Sequence, residues 1–169
     1  MKKSIILAVI ICIMAIVFAG CGGQSTDTGS SDGKNNEPTL SFTVNGTKVE
    51  LGVDATDILK SLGEPKSVTE EASCAFEGLD KTYFYGNFYL TTYPNGDKEN
   101  IYSCWFVDDS LSTDENIYIG ATKAEVESAY GAESFNGNNA YVIKKGASML
   151  TIIIEDDCVS AITYDAIID

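Results

Sequence analysis

Residues 51–63 (LGVDATDILKSLG) recur sixty-eight residues later as residues 119–131 (IGATKAEVESAYG), aligned without a gap. Gly52 falls on Gly120, Asp57 on Glu125, Ile58 on Val126, Leu62 on Tyr130 and Gly63 on Gly131. Each copy reads as a short capped helix. In the first, Ala55, Ile58, Leu59 and Leu62 fall at i, i+3, i+4 and i+7, one apolar stripe. Asp54 suits the N-cap, and Asp57 lies in the first turn, where the helix dipole favours an acid. In the second, Thr122 and Glu125 have the spacing of a capping box, with Val126, Ala129 and Tyr130 as the buried stripe. Gly63 and Gly131 suit the left-handed position after a helix, and Pro65 stops the first helix from resuming.

Strand-like text surrounds both copies. Residues 40–44 (LSFTV) and 47–51 (TKVEL) alternate apolar and polar side chains across Asn45-Gly46, the strongest short hairpin signal. After a polar link, residues 73–76 (SCAF) read as a short extended piece. Residues 81–85 (KTYFY) and 88–93 (FYLTTY) read as a second hairpin around Gly86-Asn87. That register sets Tyr85 against Phe88 and Tyr83 against Leu90 on one face, with Phe84 and Tyr89 on the other. Residues 101–107, 140–144, 148–155 and 158–164 complete the strands, and 148–155 (SMLTIIIE), the most β-prone run, should lie central in a sheet. A unit repeated at fixed spacing implies duplication. The expected fold class is therefore α+β: two tandem helix-plus-antiparallel-meander repeats sharing a sheet, helices on one face. Repeat 1 is expected over 39–109 and repeat 2 over 110–169.

The first 38 residues read differently. Lys2-Lys3, the apolar run 4–18 and Ala19-Gly20 before Cys21 have the order of a secretory signal peptide over 1–20. The run is short for a bilayer span, which takes about 20 residues. Small residues before Cys21 are similar to the bacterial lipobox, in which that cysteine is lipidated, although Phe18 stands where Leu is usual. An uncleaved N-terminal anchor is the alternative. Residues 22–38 carry no apolar side chain except Pro38, so 21–38 reads as a lipidated cysteine and a disordered tether, reaching roughly 20–25 Å on average. The expected location is the extracytoplasmic face of the cell membrane, anchored through acyl chains on Cys21.

Charge and residue types exclude several activities. The formal charge of −14 becomes −16 once Lys2 and Lys3 leave with the leader, and the sequence has no Arg and no His. Such a surface repels nucleic-acid phosphate. Without His there is no imidazole base for a Ser or Cys nucleophile and no imidazole metal ligand. The acid pairs Asp108-Asp109 and Asp156-Asp157 sit in turn text, and neither residues 95–99 (NGDKE) nor Asp156-Asp157 supplies enough oxygens for calcium. No metal, no cofactor and no enzymatic activity are expected. Outside the leader and Cys21 remain Cys74, Cys104 and Cys158, an odd number. One disulfide, Cys74 with Cys104, plus one free thiol is the simplest pairing; three separate thiols are the alternative, because sequence does not fix the Cα separation.

The aromatic residues Tyr83, Tyr85, Tyr89, Tyr93, Tyr102 and Trp105 supply wide, rigid area of the kind that anchors partners. The competing reading makes them core rings or half-buried cross-strand pairs, and a one-residue slip in register exchanges the faces.

The pattern G-x-(T/S)-x-x-(E/D)-V-x-x-x-(Y/L)-G followed by a meander resembles the tandem repeats of the β-lactamase-inhibitory-protein-like fold, which also covers small envelope lipoproteins of the outer-membrane assembly type. Residues 73–81 (SCAFEGLDK), with Tyr83, Tyr85, residues 92–94 (TYP) and residues 108–110 (DDS), also resemble lipoproteins of Gram-positive gut-type bacteria. The resemblance covers about residues 47–165. It implies a joint concave sheet that grips a partner. In the inhibitory protein an acid-bearing hairpin loop enters the enzyme; the corresponding turn here, Gly86-Asn87, has no carboxylate, so no inhibitory residue carries over. The expected function is a lipid-anchored, non-catalytic binding or scaffold lipoprotein acting on a protein or cell-wall partner through an aromatic sheet surface. An inhibitor of an extracytoplasmic lactamase or protease is the alternative, and a small-ligand-binding lipoprotein the second.

Overall fold

Asn45 and Gly46 both take positive φ (48° and 81°) and turn Ser41–Val44 (β1) back on Thr47–Glu50 (β2), as the Asn-Gly signal requires. The structure, a computed structural model, describes residues 39–168. The expected leader, tether and lipidation at Cys21 fall outside the described residues.

Seven further strands form one antiparallel sheet: Ser67–Ala72 (β3), Leu79–Phe84 (β4), Phe88–Asn95 (β5), Lys98–Phe106 (β6), Ala140–Lys145 (β7), Ser148–Glu155 (β8) and Cys158–Ala166 (β9). Their order is β3-β4-β5-β6-β9-β8-β7. The β-prone run β8 lies between β9 and the edge strand β7, while β6 holds the centre. Two helices, Thr56–Leu62 (α1) and Lys123–Tyr130 (α2), are short.

The expected architecture is corrected. The chain is mostly β, and helices do not cover one face of two helix-plus-meander repeats. Neither helix has the area to do so: α1 buries no residue completely and α2 buries only Val126. The β1–β2 hairpin supplies the cover instead, burying Phe42, Val44, Val49 and Leu51. Phe42 packs on Phe88, Phe106 and Tyr164 with ring centroids 6.2, 5.3 and 5.1 Å away. A further strand, β3, occupies the expected polar link, while the expected extended piece at 73–76 is a bend. β3 (SVTEEA) is an edge strand with all six residues exposed, so it carries no apolar alternation to betray it.

The repeated stretch nevertheless makes matching backbone contacts in both places. Gly52 N–H donates to Ile101 O and Gly120 N–H to Val159 O; Ala55 N–H donates to Glu99 O and Lys123 N–H to Asp157 O. Each copy is thus pinned to the start of a long strand, β6 or β9. Each of those strands then carries a bulge: Tyr102 is skipped between Ile101 and Ser103, and Ser160 between Val159 and Ala161. Thr122 and Glu125 form the capping box. Ala55, not Asp54, is the N-cap of α1; Asp54 instead accepts from Thr56 N–H at 3.0 Å and pairs with Lys98.

Candidate functional site

Alternation along β5 separates the two faces of the sheet. Phe88, Leu90 and Thr92 are buried, and Tyr89, Thr91 and Tyr93 are half-buried. Register carries the division to the neighbours. Tyr83 opposes Leu90 on the inner face; Phe84 opposes Tyr89, Tyr89 opposes Trp105, and Trp105 opposes Thr163 on the outer face. Thr151 of β8 extends that row. All of these outer residues are half-buried, shielded by their neighbours within the sheet.

Three outer rings stack. Phe84 and Tyr89 have centroids 4.4 Å apart and planes at 23°; Tyr89 and Trp105 have centroids 4.8 Å apart and planes at 16°. The Lys66 ammonium lies 5.8 Å from the centroid of Phe84, capping the stack with a cation. Farther along the face, Phe76 stacks on Tyr93 and Tyr102 meets Tyr93 edge-on. Tyr102 reaches this place as the extra residue of the β6 bulge, 41% exposed.

Of the six aromatic residues expected to form the surface, Tyr89, Tyr93, Tyr102 and Trp105 share the outer face. Tyr83 and Tyr85 do not, a correction with a clear cause: the β1–β2 hairpin covers the side they point to, and both pack against the core. Tyr85 stacks on Phe88 at 4.8 Å, with its hydroxyl buried and unpartnered. The Tyr83 hydroxyl donates to Glu99 Oε2 at 2.9 Å. Burial, and then that carboxylate, push the Tyr83 phenol well above its ordinary range. Glu99 also accepts from Thr92 Oγ1 at 3.0 Å and pairs with the Lys81 ammonium. Burial alone would raise the Glu99 carboxyl, but the hydrogen bonds from Lys81, Tyr83 and Thr92 outweigh it and hold it below its ordinary value. This network is structural glue under the outer face. Phe84 and Phe76 belong to the outer surface and were not among the expected residues. The alternation that set Phe84 beside Tyr89 was the available signal for the first; the bend holding Phe76 gives none.

The expected Cys74–Cys104 disulfide is also corrected. Cys74, Cys104 and Cys158 are free thiols. Cys104 points into the core opposite Leu90, whereas Cys74 is exposed on the β3–β4 connection. Burial pushes the Cys104 thiol well up, which keeps it protonated and inert. Among the described residues, no group of three or more acid or cysteine side chains is placed to hold a metal ion. Likewise among them, no helix is long and apolar enough to cross a membrane.

No family model matches the chain, and no curated protein matches it. Among solved structures, a cysteine-rich secretory protein from Staphylococcus aureus subsp. aureus Mu50, determined at 1.90 Å, is similar with a TM-score of 0.50 and 16% identity. The likeness covers 78% of this chain and 49% of that one, so the chain spans about half the length of the protein it matches. At that identity it concerns the fold alone.

Proposed function

We propose that this chain is a lipid-anchored, non-catalytic binding lipoprotein of the extracytoplasmic membrane face, docking a protein partner on the outer face of its sheet. The observation that carries the reading is the Phe84–Tyr89–Trp105 stack, half-buried on the face opposite the hairpin. Stacked rings are already rigid, so a partner that packs on them immobilises little, and aromatic anchors of this kind dominate binding energies. Thr91 and Thr163 beside the rings provide a hydroxyl-bearing surround. The charge of −14 disfavours nucleic acid. The anchor rests on the order Lys2-Lys3, apolar run, Ala19-Gly20-Cys21.

Crosslinking in intact cells tests the surface. Tyr89→Ala and Trp105→Ala should lose a crosslinked protein that wild type and the inner-face variant Tyr85→Phe retain. Identical profiles for all four would sink the reading, and a crosslink to glycan in place of protein would overturn the choice of partner. For the anchor, metabolic fatty-acid labelling should disappear in Cys21→Ala; persistent label rules out acylation there.

A further inference from the structure

We infer that the groove between the β3–β4 connection and the last residues of β9 is a binding site for a small organic cation, a protonated amine carrying an apolar body. The open groove has a volume of about 810 Å³, within the size range of sites that hold small molecules. It is separate from the Phe84–Tyr89–Trp105 stack, none of whose residues line it.

Three rings form a corner in it. Phe76 lies over Tyr93 with centroids 5.0 Å apart and planes at 30°, and Tyr102 stands at 83° to Tyr93 with centroids 6.3 Å apart. Ring faces are electron-rich, and a cation within about 6 Å of a centroid is drawn to them. The fold builds this corner deliberately. Gly78 (φ +132°) lets the connection lie on Pro94, where an added Cβ would approach Pro94 Cβ to 3.0 Å. Ser73 N–H donates to Gly78 O at 3.1 Å and Phe76 N–H donates to Ser73 Oγ at 3.3 Å, fixing Phe76 over Tyr93. The β6 bulge turns Tyr102 toward the same place.

Charge selects the ligand. Asp80 and Asp165 line the groove, and among the described residues no lysine does. Asp165 is held by Ser103, whose hydroxyl donates to Oδ1 at 2.7 Å. The Asp80 carboxylate stands on the same groove, its Oδ1 buried without a hydrogen-bond partner. Met149, Ile167 and Ile168 supply an apolar wall for the rest of such a ligand. Two carboxylates, an aromatic corner and an apolar wall together match an amine with a hydrocarbon body and mismatch an anion.

Calorimetric titration of the whole chain with hexylammonium, and with 1-hexanol as its uncharged counterpart, tests this. Hexylammonium should bind saturably and at least tenfold more tightly than hexanol. Asp165→Asn and Tyr93→Leu should each weaken it at least fivefold, while Tyr93→Phe, which keeps the ring, should stay within twofold. Cys74 lines the same groove, so saturating hexylammonium should slow its alkylation by iodoacetamide severalfold, a readout independent of heat. Tyr89→Ala and Trp105→Ala, which remove the proposed partner surface, should leave probe binding within twofold. Equal affinity for the two probes, or full affinity in Asp165→Asn, overturns the inference whatever becomes of partner docking.

Discussion

Tyr89 and Trp105 face each other across β5 and β6, with ring centroids 4.8 Å apart and planes within 16° of parallel. Offset stacks of this kind couple by about 0.5–1.5 kcal/mol beyond the area they bury. A double-mutant cycle with Tyr89→Ala and Trp105→Ala, read by urea unfolding, should return a coupling energy of about 1 kcal/mol. Strict additivity would show that the rings are neighbours without being partners.

Glu99 makes stability depend on acid pH. Its carboxyl is held below the ordinary 4.5 in the folded chain, so the ionised form is favoured by folding. That contribution is fully present above about pH 4.5 and fades as pH falls through the folded value. Glu99→Gln should cost about 1–2 kcal/mol at pH 7, the loss of charge-assisted hydrogen bonds. The gap between wild type and variant should shrink at pH 3. An equal gap at both pH values would disprove the assignment.

Gly63 ends α1 at φ 80°, ψ −160°, a region that side chains avoid. Nothing lies within 4 Å of an added Cβ. Gly63→Ala should therefore destabilise the fold by about 1–3 kcal/mol through backbone strain alone. If the loss is under a few tenths, the turn has room to relax.

The thiols should report burial directly. In the native protein Cys74 should react rapidly with a thiol reagent and Cys104 only after denaturation. In denaturant, the number of reactive thiols among Cys74, Cys104 and Cys158 should be three with or without reductant. A count that rises on reduction would reveal a bridge absent from the structure.

Local structure was legible wherever a side chain or turn acts alone. Asn45-Gly46 turns where its chemistry allows, Thr122 and Glu125 cap as their spacing requires, and Tyr83 opposes Leu90 as the second hairpin demands. What escaped depends on layers meeting. Both faces of the β4–β5 hairpin are aromatic, so alternation could pair Tyr85 with Phe88 without saying that this was the covered side. Phe42 and its hairpin make that choice from outside the strands concerned. β3 was hidden because an exposed edge strand needs no apolar pattern. Tyr102 reaches the groove through one extra residue in β6, and nothing in its own neighbourhood of sequence marks the bulge.

The sheet ends on β3 at one side and β7 at the other. The first carries exposed Glu70 and Glu71, the second exposed Lys144 and Lys145. Two molecules that bring like borders together press charge against like charge, so ribbon growth through matching borders is opposed before any backbone hydrogen bond can form. That barrier belongs to dilute salt. At about 1 M ionic strength the screening length contracts to about 3 Å, and the borders lose most of their mutual repulsion.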